Sequence, residues 1–362
     1  MGLQASQGAG VRLKPYVVSA FRRTIRPATA CAKATAVHRS LRRRWKAGLY
    51  VLFFLFLAAP SFAQDTHLLM ITSSPGDDEH TKNFHKWATA IIDAAKQKGG
   101  LTDATITYLG DKPELDAAHI KARSTKANVE KAFADLAAKA QPADEVVIVL
   151  IGHGSFDGKL GAFNLTGPDL TADDYARLVG AIKSQRIVFV NTASSSGAFL
   201  QPLAGPGRTV ITSTKTGGER NEPLFAQFFA DAFTDSSADT DRNGRVSISE
   251  AFEYAKSKAA ATYTKAGTIL TEHATLDDSH EGKFASTLYL ESERARADKT
   301  AKVANPELRA LLEQQQALQT QIDGLKLKKE LIPEAEYDQQ MEKLLTELAV
   351  KARAIREIEG KK

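Results

Sequence analysis

Twelve consecutive residues, Asp239 to Glu250 (DTDRNGRVSISE), present oxygen donors in an order that a hard divalent cation can use. Asp239, Asp241 and Asn243 offer side-chain oxygens at alternate positions. Gly244 permits a sharp turn, and Arg245 offers its backbone carbonyl. Ser247 gives a direct or water-mediated contact. Glu250, at the start of a helical pattern, closes the set with both carboxylate oxygens. Val246 is the one apolar member and is expected to point inward.

A second set of residues has the types needed for acyl transfer. The run EVVIVLIGHG ends in Gly152-His153-Gly154, and the run IVFVNTASSSG ends in a cluster of small polar residues containing Ser194. An imidazole can take the proton of a hydroxyl nucleophile while backbone N–H groups hold the oxyanion. A hydroxyl needs an oriented base, and Asp157 and Glu219 are the acids that could orient His153, neither compelling from sequence. The chain has one cysteine, Cys31, near the N-terminus. Beyond Ala63 there is therefore no thiol nucleophile, no thiolate metal site and no disulfide. A third set, Glu272, His273, Asp277, Asp278, His280 and Glu281, has the composition of a second cation site. Its spacing fits no standard loop, because Ser279 and His280 stand where a tight turn wants Asn-Gly, and it reads better as a solvated loop.

These residues need elements to position them. HLLMITSSPG, ATITYLG, EVVIVLIGHG, IVFVNTA and RTVITST read as strands; the third is too uniformly apolar for a half-exposed sheet. FHKWATAIIDAAKQ, ANVEKAFADLAAKA, TADDYARLVGAI, EPLFAQFFADAF and SEAFEYAKSKAAATY read as helices, the third opened by Thr171 as N-cap. Strand and helix alternate, so an α/β fold with a mainly parallel sheet between helices is the economical arrangement. Adjacent parallel strands would bring His153 and Ser194 to one edge of that sheet, where ligands of open α/β sheets bind.

The two strand ends resemble the caspase-hemoglobinase fold, the cysteine-peptidase group of legumain, caspases and gingipains. Ala193-Ser194-Ser195-Ser196-Gly197 is similar to the legumain-type (C13-type) Ala-Cys-Glu-Ser-Gly. The resemblance covers roughly residues 68–263. It implies a caspase-like sheet, His153 in the place of the catalytic His, Ser194 in the place of the nucleophilic Cys, and Gly154 as an oxyanion donor. ITSTKTGGERNE resembles the segment that lines the specificity side of the cleft. Ser in place of Cys implies a degenerate active site. The 239–250 loop resembles the Ca²⁺ loop of an EF-hand at every defining position.

Composition sets the surroundings. The formal net charge is +5 over 362 residues, but residues 1–64 hold 11 of the 48 Lys and Arg and none of the 43 Asp and Glu, so the remainder is net acidic. An acidic body is a poor phosphate-tracking nucleic-acid binder. Residues 1–63 read as a targeting segment: Arg42, Arg43, Arg44 and Lys46, then an apolar run from Leu49 to Ala59, then Ser61 and Ala63 at a cleavage site. The apolar run is short for a bilayer span, so an uncleaved anchor is the alternative. From Asn305 on, Leu308, Leu311, Leu318, Ile322 and Leu325, then Tyr337, Met341, Leu344, Leu348 and Ile355, recur at helical steps around a break at Ile332-Pro333. They predict a helical hairpin or short coiled coil over 305–360 that packs on the body or on a second copy.

The sequence thus predicts an exported protein of the periplasm or outer surface. Its domains are a caspase-like body over 65–300 containing the 239–250 loop, and the hairpin. Ca²⁺ is the expected cofactor and a protein or peptide the expected partner, with no nucleic acid. The leading function is a non-catalytic binding or scaffold protein of the cell envelope. The rivals are a serine-dependent peptidase or amidase using Ser194 and His153, and a coiled-coil assembly module.

Overall fold

The computed structural model describes residues 64–278 and 283–360. The targeting segment with Cys31, and the residues Ser279, His280 and Glu281, lie outside the described residues. Thr66–Thr72 forms β1, followed by α1 (Asp78–Gln97), β2 (Ile106–Gly110), β3 (Ile120–Arg123), α2 (Lys126–Lys139) and β4 (Glu145–Ile151). Three short strands come next: β5 (Gly154–Phe156), β6 (Gly161–Phe163) and β7 (Leu170–Thr171). Then follow α3 (Ala172–Gly180), β8 (Arg186–Asn191), β9 (Arg208–Thr212), α4 (Phe225–Ala232), α5 (Ile248–Ala266) and β10 (Thr275–Asp277). The chain closes with α6 (Glu293–Ala301), α7 (Pro306–Lys326) and α8 (Glu334–Glu359).

Among the described residues, seven strands form one sheet in the order β10-β9-β8-β4-β1-β2-β3. Every pairing is parallel except β10 with β9. The apolar runs explain the burial. Leu68 and Met70 of β1 and Val147, Val149 and Ile151 of β4 face a layer built by α1, α4 and α5. Leu69 and Ile71, with Val146, Ile148 and Leu150, face α2 and α3. A strand covered on both faces has no solvent side on which to place polar residues. The sheet is the α/β architecture expected from sequence.

Thr171 caps α3 as expected, and its exchange of hydrogen bonds with Asp174 makes a capping box. The small sheet β5-β6-β7 and the antiparallel edge strand β10 were not legible beforehand. β10 corrects the reading of a solvated loop at residues 275–277: Asp277 pairs with Val210 across the sheet edge. α7 and α8, joined by a short turn, pack on one another through Leu318, Ile322 and Leu348, with Met341, Leu344 and Leu345 beside them. Among the described residues, no helix is long and apolar enough to cross a membrane.

Candidate functional site

β4 lies between β1 and β8, so the chain leaving β4 is reached from both sides. From the β1 side, Ser73 Oγ accepts a hydrogen bond from His153 N–H at 2.9 Å, and the Pro75 carbonyl lies 3.2 Å from His153 Nε2. From the β8 side, Ser194 Oγ donates to the Gly154 carbonyl at 3.0 Å and accepts from the Gly154 N–H at 3.4 Å. The structure therefore brings His153, Gly154 and Ser194 to one sheet edge, as the motifs predicted. It does not join His153 to Ser194 by a hydrogen bond. The hydroxyl is spent on backbone, and the Gly154 N–H points at that hydroxyl.

The glycines around His153 have separate reasons. Gly152 has φ +142°, and a Cβ there would collide with the Ser73 side chain. A Cβ at Gly154 would run into the Ser194 carbonyl. On the other strand end, Ser195 takes the left-handed conformation at φ 58°, which costs a non-glycine residue strain. Its N–H donates to the Glu219 carbonyl at 2.8 Å, while its buried hydroxyl has no hydrogen-bond partner. The segment after β9 wraps this turn, with the Gly197 N–H bonded to Thr214 Oγ1 at 2.8 Å.

Neither acid considered as an orienter of His153 does so. Asp157 caps its own turn through the N–H groups of Lys159 and Leu160. The Glu219 side chain accepts from the Lys215 N–H and pairs with His273 Nδ1 at 3.2 Å. The group on the His153 ring is the Pro75 carbonyl, which no side-chain search of the sequence could find.

Sequence reasoning also missed His80. Its ring packs edge-on against His153 at a centroid distance of 4.8 Å, and Phe84 packs at 5.1 Å. His80 Nε2 meets Glu222 at 2.9 Å and Nδ1 meets Asp77 at 2.7 Å. Hydrogen bonds to Glu222, then to Asp77, hold the His80 pKa above the usual imidazole value. Spacing carries no hint of this, because Glu222 is remote in sequence.

The 239–250 loop gathers its acids. Carboxylate oxygens of Asp239, Asp241 and Glu250 all lie within 4.8 Å of one another. Backbone N–H groups hold them in place. Asn243 N–H donates to both Asp239 and Asp241 at 3.0 Å, and Gly244 N–H to Asp239 at 2.9 Å. Gly244 turns at φ +86°, as the motif required. Glu250 accepts from Ser247, whose side chain caps α5, and from Thr240 and Asp241. Burial raises the Asp239 pKa, and the neighbouring Asp241 and Glu250 charges add to that rise. The Arg245 side chain turns away into a buried pocket. Its guanidinium meets Asp323 at 2.8 Å and stacks 3.7 Å from the Tyr289 ring centroid. Burial opposes that charge, but Tyr289, Asp323 and Glu291 around it push the Arg245 pKa above its ordinary value.

The described members of the third set have other partners. Glu272 is buried and accepts from the N–H groups of Leu224 and Phe225 at 2.9 and 3.1 Å, which caps α4. His273 is paired with Glu219, and Asp278 accepts from the Ala285 N–H.

No family model and no curated protein matches the sequence. Among solved structures, a Geobacter sulfurreducens protein is similar over 59% of this chain and 92% of its own, at 13% identity and a TM-score of 0.38. The Drosophila initiator caspase Dronc is similar over 59% of this chain and 79% of its own, at 12% identity and a TM-score of 0.37.

Proposed function

We propose that this chain is an exported, calcium-binding, peptidase-like protein with a degenerate active site. It works by binding a protein or peptide in the cell envelope rather than by hydrolysis. The observation that carries this reading is the bonding of Ser194. Its proton goes to the Gly154 carbonyl, not to His153. A hydroxyl becomes a useful nucleophile only when a base takes its proton. The charged and apolar layout of residues 1–63 supports export to the periplasm or beyond.

Ca²⁺ is the cation proposed for the 239–250 loop, held by Asp239, Asp241, Asn243, the Arg245 carbonyl, Ser247 and Glu250. The donor set supports this: hard oxygens, three of them carboxylates, around a glycine turn. Bound there, Ca²⁺ would neutralise acids that otherwise repel one another.

One observation favours the rival reading, a serine-dependent peptidase or amidase. The Pro75 carbonyl fixes the His153 ring from the side away from Ser194's strand. An imidazole held in place is one of the parts that such a hydrolase needs.

Labelling of the purified protein with a fluorophosphonate probe in the presence of Ca²⁺ separates the two. We expect no labelling of Ser194. Labelling at Ser194 that vanishes in both Ser194→Ala and His153→Ala would replace the binding-protein reading with the hydrolase.

A further inference from the structure

α7 lies along the proposed cation loop and touches it with one stripe of polar residues. Gln319, Asp323 and Lys326, spaced four and three apart, share a helix face. Gln319 Nε2 donates to the Asn243 carbonyl at 3.3 Å. Asp323 takes the Arg245 guanidinium at 2.8 Å and the Tyr289 hydroxyl at 2.8 Å. Lys326 Nζ sits 2.6 Å from Asp241 Oδ2, with Asp241 24% and Lys326 11% exposed.

Asp241 is one of the loop's ligand candidates, so a carboxylate meant for a cation already holds one. That cation is an ammonium tethered to the last turn of α7. Its remaining partners are weak, the Ser286 carbonyl at 3.3 Å and the Tyr289 hydroxyl at 3.4 Å. Gln319 and Asp323, by contrast, grip the Asn243 carbonyl and the Arg245 side chain, neither of which a metal at the carboxylates would have to remove.

We infer that Lys326 is an internal competitor for the loop: Ca²⁺ binding displaces its ammonium from Asp241 and frees the last turn of α7, while Gln319 and Asp323 keep the rest of the helix docked. This rests on the calcium reading of the 239–250 loop. The physical ground is direct. A divalent ion on Asp241 and an ammonium on the same carboxylate repel one another across a partly buried space, where solvent screens poorly. Any free energy that holds Lys326 in place is subtracted from calcium affinity, and calcium in turn weakens the hold on Lys326. The turn leading to α8 begins directly after Lys326, so the effect reaches the hairpin junction.

The test pairs calcium titration calorimetry with hydrogen–deuterium exchange over residues 320–333, on the purified full-length protein. Wild type, Lys326→Met, Lys326→Gln and Lys326→Arg are compared, with circular dichroism confirming the fold of each. We expect Lys326→Met and Lys326→Gln to bind Ca²⁺ about tenfold more tightly than wild type, and Lys326→Arg to stay near wild type. In wild type, Ca²⁺ should speed exchange at the C-terminal turn of α7; in Lys326→Met that turn should exchange fast with or without Ca²⁺. Binding by the neutral variants alone would be the extreme form of the same competition. Equal affinity in all four proteins, or calcium binding without any change in exchange, overturns the competition and leaves the calcium site standing. Absence of binding in all four overturns both.

Discussion

The Pro75 carbonyl oxygen lies 3.2 Å from His153 Nε2. A carbonyl can only accept, so Nε2 is the donor in this contact. The contact fixes the ring from the β1 side, while Ser194, past the end of β8, bonds to the Gly154 backbone.

A thiol placed at that position should be activated. Ser194→Cys is expected to react with iodoacetamide at neutral pH about tenfold faster than an unperturbed thiol, which corresponds to a thiolate pKa lowered by about one unit. His153→Ala in the same background should remove the gain. Peptide mass spectrometry distinguishes the introduced thiol from Cys31. An introduced thiol no faster with His153 present than in the His153→Ala background would show that His153 does not activate a group at position 194.

Gly152 should not tolerate a side chain. Its φ of +142° and the Ser73 side chain against it leave no room for a Cβ. Gly152→Ala is expected to cost ~2–4 kcal/mol in urea unfolding, from backbone strain and loss of the Ser73–His153 N–H bond. The exposed Gly158, whose Cβ would meet nothing, serves as the control: Gly158→Ala carries only the backbone term.

Stability should fall as pH rises through the range governed by Glu145. This carboxyl is fully buried at the start of β4, and burial pushes its pKa from 4.5 up to about 8. Arg186 at 3.5 Å and the Tyr289 N–H at 2.9 Å moderate that rise without reversing it. The folded state therefore keeps a proton that the unfolded state releases. The contribution is whole below pH ~4.5 and declines toward pH ~8, by at most about 1.4 kcal/mol per pH unit. Chemical denaturation at a series of pH values should show this decline in wild type and lose most of it in Glu145→Gln.

The imidazole beside His153 should titrate late. Glu222, then Asp77, raise the His80 pKa. The ion-paired form is complete below the free-imidazole value and is lost as pH rises through the raised one. In Glu222→Gln the His80 midpoint should move down. Nitrogen-detected NMR of the histidine rings reads both values; an unmoved midpoint would mean that Asp77 alone sets the charge.

Calcium should stabilise the protein by an amount that grows with the logarithm of its free concentration above the dissociation constant. At a free concentration a hundred times the dissociation constant, binding to the native state alone adds about 2.7 kcal/mol. Glu250→Gln should abolish most of this gain. Glutamine has one acceptor oxygen where Glu250 uses two, one for Ser247 and one for Thr240 and Asp241, so the apo protein should also lose stability, and the calcium effect is the difference between melts with and without the ion. Thermal melts with calcium and with a chelator make the comparison.

The elements were legible because their causes are local. The β4 run is apolar at every position after Glu145, so it had to be a strand covered on both faces, and it is. Thr171 and Asp174 sit within one turn, so their capping box is written in four residues. The Asp239–Glu250 loop carries its own glycine, acids and cap within twelve residues, and its carboxylates converge. The short strands β5 to β7 and the edge strand β10 are two or three residues long, and no periodicity can be read from so few.

By itself, then, the sequence determined the alternation of strands and helices, the cation-type loop, and the pair of strand ends bearing His153 and Ser194. It also removed every thiol beyond Cys31. Tertiary structure decided what those groups meet. Strand order put β1 beside β4, which brought the Pro75 carbonyl to His153, and packing of α1 laid His80 and Phe84 on its ring. Helix docking carried Lys326 to Asp241 from a distant part of the chain. The physical reason is range: caps, turns and hydrophobic periods act over one or two turns of chain, whereas a hydrogen bond to a backbone carbonyl or an ion pair between distant segments exists only once the core has fixed where those segments lie.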